Sequence, residues 1–108
     1  MGRLETAIAK VRDGSSLYWG FYEPEHPHRE SELVEVRLNA RPETVASFVV
    51  PAGWTLARVQ TGDTLFLRRQ QSLERSTVEA MLVEVLQIAA ANGLQLNSWL
   101  HGSGYRLT

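Results

Sequence analysis

Apolar positions along the chain follow two rhythms, one near every third or fourth residue and one at every second. Residues 76–101, STVEAMLVEVLQIAAANGLQLNSWLH, contain both. Val78, Met81, Leu82, Val85, Leu86 and Ala89 fall at helical spacing and form one stripe, which Val83 and Ile88 widen. Glu79, Glu84 and Gln87 lie away from it. Ser76 and Glu79 have the spacing of a capping box, so the helix is expected to begin there. Gly93 suits the left-handed residue that ends it, and Leu94 can fold back onto its last turn. From Leu94 the period becomes two. Leu94, Leu96, Ser98 and Leu100 then point one way, and Gln95, Asn97, Trp99 and His101 the other. This parity predicts that the leucines face the helix and that Trp99, Asn97 and His101 stand on an open, polar face.

The same rhythms organise the rest of the chain. Residues 3–13 place Leu4, Ala7, Ile8 and Val11 on one narrow helical face that Gly14 ends. A helix with so thin a stripe is expected on the domain surface or at an oligomer contact. Residues 17–22, LYWGFY, hold four of the nine aromatics and read as an edge strand interrupted at Gly20. Residues 23–32 form a charged, proline-broken loop. Residues 33–39 alternate cleanly, with Val34, Val36 and Leu38 inward and Glu35 and Arg37 outward. Pro42 suits the first turn of a short helix over 42–49, although its β-branched content also permits an extended segment. Residues 54–60 and 64–70 flank Thr61-Gly62-Asp63 and read as a hairpin.

From residue 33 the order is strand, helix, strand, strand, helix, strand. This predicts an α+β, ferredoxin-like split βαβ (βαββαβ) fold: an antiparallel sheet with two helices on one face and the other face open. The N-terminal helix and an extra aromatic strand precede it. The chain is then one domain over 1–108, with an extension at 1–32, a core at 33–101 and a tail at 102–108.

Composition narrows the function classes. There are no cysteines, which excludes disulfides, thiolate catalysis and cysteine-bearing metal sites. No apolar run is long enough to span a bilayer and no signal peptide is apparent, so the expectation is a cytoplasmic protein without a membrane partner. The net charge is −1, yet residues 37–75 hold six arginines against three acidic residues. Arginine supplies every cation but Lys10, which genomic base composition alone accounts for, although arginine, planar and weakly hydrated, also suits interfaces.

Chemistry is sparse. No phosphate-cradling glycine loop and no nucleophile elbow occurs, and no serine, histidine and carboxylate are spaced as a catalytic set. His26 and His28 flank Pro27 in the charged loop, but a lone H-x-H in a loop is a poor metal cage. The expectations are no enzyme, no cofactor and no metal. The RNA-recognition pattern is also poorly matched: only Phe66 is placed to stack a base, with Arg37, Arg58 and Arg68 as phosphate contacts.

The second half resembles the ribonuclease E inhibitor family, the regulators of ribonuclease activity type B. The residues that carry the resemblance are Gly53-Trp54, the strand at 64–69, the helix at 76–92 and Asn97-Ser98-Trp99 in the last strand. It implies a ferredoxin-like fold and a non-catalytic, protein-binding role. The expectation is therefore a small regulatory module, such as an inhibitor of a ribonuclease or another enzyme. Its contact surface is expected around Trp99, Asn97, His101, Arg58, Arg68, Phe66 and Tyr18. An RNA-binding module on the open sheet face and a small enzyme are the alternatives, and a homodimer through that face would compete with each.

Overall fold

The computed structural model describes residues 2–25 and 29–102. Helix α1 (Arg3–Asp13) leads into a single 3-10 turn (Leu17–Phe21), followed by strand β1 (Glu32–Asn39) and helix α2 (Pro42–Ser47). The hairpin β2 (Thr55–Gln60) and β3 (Thr64–Gln71), helix α3 (Arg75–Asn92) and strand β4 (Gln95–His101) complete the order. Among the described residues the strands make one sheet, ordered β2-β3-β1-β4, and every neighbouring pair is antiparallel. The chain is thus α+β.

The strand alternation works as expected in the centre of the sheet. Val34, Val36 and Leu38 of β1 stand beside Leu65 and Leu67 of β3, and all five are buried under the apolar stripe of α3. The hairpin turn places Thr61 and Gly62 at positive φ, 53° and 76°, the geometry that matches strand twist. Gly93 is left-handed at φ 69° and ends α3.

Four expectations are corrected. The capping box does not form: α3 begins at Arg75 with Glu74 as its cap residue and no side-chain cap bond. Ser72 instead accepts the Glu74 N–H at 3.0 Å. The helix at 42–49 is cut short at Ser47, and residues 48–50 run outside it. Six residues are too few to sustain a helix without strong packing, and Val45 is its one buried residue.

The N-terminal helix is more than a surface addition. α1 packs along α3, and its Val11 is fully buried in the common core. A stripe of four apolar residues is enough because α3 is apolar around a wide arc and needs a cover on its flank.

Finally, residues 17–22 are not a fifth strand. Ser16 accepts the Tyr18 N–H at 3.3 Å and starts a tight turn instead. A strand would splay the rings to two faces, whereas the turn sends Tyr18, Trp19 and Tyr22 each to a separate acceptor. The Trp19 indole N–H donates to the Val11 carbonyl at 2.9 Å, and the Tyr22 hydroxyl to the Leu73 carbonyl at 2.7 Å. Arg75 lies over the Trp19 ring at 4.1 Å.

Candidate functional site

The last strand decides what the sheet can offer a partner. β4 pairs Val36 with Trp99 and Leu38 with Leu96, so one residue lies between the partners on β1 and two on β4. Asn97 is the extra residue of a β-bulge, and the parity slips there. Leu96 and Trp99 consequently share the helix-covered face, while Ser98 and Leu100 turn to the open one, opposite Arg37 and Glu35. The alternation expected from Leu94 onward fails beyond Leu96.

The energetic reason is direct. A regular strand would bury Ser98 and expose an indole. Burying an aromatic side chain removes about 150–250 Å² from water, worth about 4–6 kcal/mol at the usual coefficient. That exceeds the cost of one disrupted ladder position.

Trp99 and His101 are therefore not contact residues on an open face. Trp99 is fully buried and donates its indole N–H to the Tyr18 carbonyl at 2.8 Å. His101 is buried beside it, with ring centroids 5.3 Å apart, and its Nε2 accepts the Glu23 backbone N–H at 3.0 Å. Tyr18 fastens this edge twice, because its hydroxyl also donates to the Leu96 carbonyl at 2.6 Å. Burial pushes the Tyr18 phenol above its ordinary pKa. Asn97 remains exposed at the bulge. The His26-Pro27-His28 segment lies outside the described residues, as does the tail beyond Gly102.

The other predicted residues do meet on the open face. Phe66, at the centre of β3, is 2% exposed although the helices lie on the opposite side of the sheet. Arg37 of β1 and Arg58 of β2 flank it from both neighbouring strands, with guanidinium carbons 5.2 and 4.3 Å from the ring centroid. Beside it, Glu35 is buried and accepts from Arg68 Nε at 2.9 Å. Arg37 Nε lies 3.8 Å from the same carboxylate and has no hydrogen bond of its own among the described residues. The result is a layer of arginine heads held in register by one ring and one carboxylate.

At the rim of this layer runs β2, the sheet edge. It too contains a bulge: Leu56 pairs with Leu67 and Arg58 with Phe66, leaving Ala57 as the extra residue. Leu56 and Val59 consequently face the helix side together, 39% and 44% exposed, while Arg58 faces the arginine layer. All six residues of β2 are exposed.

One further group went unforeseen. Trp54, just before β2, is buried beneath Arg69 at 4.1 Å, and its indole N–H donates to Glu84 at 3.0 Å. Arg69 closes the set by donating to the same carboxylate at 2.9 Å. Sequence spacing carried no sign of it, because the three residues come from different elements. The group fixes the start of β2 to α3.

Comparison with known proteins adds no relative: no family model, curated protein or solved structure matches the chain. No helix among the described residues is long and apolar enough to cross a membrane.

Proposed function

We propose that the chain is a small, non-catalytic protein-binding module of ferredoxin-like split βαβ topology. Its contact surface is the edge strand β2 together with the arginine layer beside it. The observation that carries this reading is the exposure of every residue of β2 on a sheet whose opposite edge is fastened by the chain itself. An unpaired edge is a template for a partner strand, with main-chain bonds for affinity and alternate side chains for specificity. Leu56 and Val59 supply apolar contacts on one side and Arg58 a charged contact on the other. Strand order β2-β3-β1-β4 with all neighbours antiparallel is the order that a split βαβ fold requires.

The resemblance to ribonuclease E inhibitors makes a ribonuclease the first enzyme to assay for inhibition. Affinity capture from the native lysate tests the broader reading. A partner held by the wild type should be lost with Val59→Lys and Arg58→Glu combined, and the fold should persist by circular dichroism. Undiminished capture by that variant overturns the assignment. A second copy is the competing occupant of the edge, and sedimentation of the wild type distinguishes it. RNA binding has less support, since Arg37 and Arg58 already occupy the surroundings of the Phe66 ring. It requires an affinity that falls steeply with salt.

A further inference from the structure

A groove of about 1020 Å³ runs along the opposite edge of the molecule, between α1, the 3-10 turn and β4. Two large apolar side chains line it with little cover, Leu17 at 91% and Phe21 at 42% exposure. Tyr18 and Asn97 also line it, and Arg3 and Lys10 stand along α1 as its cations. No carboxylate lines it among the described residues. The acidic side chains of α1, Glu5 and Asp13, lie on another flank of the helix, beside a separate shallow hollow. Arg12 stands on that flank with them, so the charges there are mixed, whereas the charged residues lining the groove are Arg3 and Lys10. Exposed apolar anchors rimmed by polar residues mark an interaction surface.

We propose that this groove docks an acidic amphipathic helix from a partner protein. The chemistry of the occupant follows from the lining. Leu17 and Phe21 suit apolar anchors, and Arg3 and Lys10 attract carboxylates. Arg3 and Lys10 are two turns apart on α1, roughly 10 Å at the helical rise. A helix lying along α1 matches that span with acidic residues at i and i+7 and apolar residues at i+3 and i+4, the usual pattern of helix-in-groove recognition. The site is separate from β2 and does not depend on the reading of that edge.

The test uses the full chain and a labelled synthetic peptide of about 15 residues with glutamate and leucine in that pattern. A second peptide carries lysine in place of each glutamate. The acidic peptide should bind by fluorescence anisotropy, more weakly as salt rises, and move the amide NMR signals of residues 3–21 and 95–97. Combined Arg3→Glu and Lys10→Glu should weaken it by about tenfold or more. Leu17→Ser, at a side chain too exposed to matter for folding, should also weaken it, while Val59→Lys should leave it unchanged. Equal binding of the lysine peptide, signals moving only at β2, displacement by a short RNA oligomer, or no binding at all would each overturn the proposal.

Discussion

β4 and β2 stand at opposite edges of one sheet, and each carries one extra residue, Asn97 and Ala57, that slips its parity. In β4 the slip turns Trp99 into the core, and Tyr18 then fastens the strand from outside through the Leu96 carbonyl and the Trp99 indole. In β2 the slip brings Leu56 and Val59 to one side, and nothing equivalent to the 3-10 turn is laid across them among the described residues. The same local device therefore closes one edge and leaves the other presented. The difference lies in what the neighbouring chain supplies: residues 14–22 run back along β4, whereas β2 is reached through the short α2 and a turn at Gly53. A bulge does not by itself mark a covered or an open strand; the side chain it redirects and the segment available to meet it decide.

The comparison can be broken most directly at Trp99. Trp99→Ala should cost about 3–5 kcal/mol in denaturant unfolding, the range for truncating a buried aromatic. A loss well under that range would mean that β4 is not anchored by its indole. Tyr18→Phe is milder. It leaves the Leu96 carbonyl without its donor and should cost about 1–2 kcal/mol, with faster hydrogen exchange confined to β4 and the 3-10 turn.

The same residue sets a pH signature. The folded-state pKa of Tyr18 is raised by burial, so the folded protein holds that proton more tightly than the unfolded chain. Its contribution is complete below the ordinary tyrosine value near 10 and is lost as pH rises past it through the folded value. Alkaline unfolding should therefore shift to lower stability in the wild type, and Tyr18→Phe should remove that part of the shift.

Effects at the open side should be smaller. Arg58→Ala removes one guanidinium from the Phe66 ring and should cost about 0.5–1 kcal/mol. Val59→Lys should change stability by no more than about 0.5 kcal/mol, the usual range for an exposed site, while abolishing any partner held at β2. A large stability loss at Val59 would show that the edge is covered after all.

Much of the architecture was legible because it rests on local chemistry. The α3 stripe, the β1 alternation, the Thr61-Gly62 turn and Gly93 each declare themselves within a few residues. The arginine layer was half legible. Arg58, Phe66 and Arg68 were singled out, but Glu35, which holds Arg68 and faces Arg37, read only as an outward strand residue. The aromatic run at 17–22 misled because strand propensity reflects fit to a pleated surface, and here the rings were used as hydrogen-bond donors at three separate places. Trp99 misled because alternation assumes an unbroken ladder. One hint was present: Leu94 and Leu96 keep one phase, Trp99 and His101 the other, and Asn97 at the join is a residue strands disfavour.

By itself the sequence determined the inventory and order of most elements, the α+β class, and the apolar sides of β1 and α3, since each of these follows from spacing along a few turns or pleats. The tertiary structure alone decided that α1 joins the core, that Asn97 shifts the phase of β4, and that β2 rather than the Trp99 face is left uncovered. Those outcomes turn on which distant segment can bury the largest side chain and satisfy its polar atoms, and that competition is settled only when the whole chain packs.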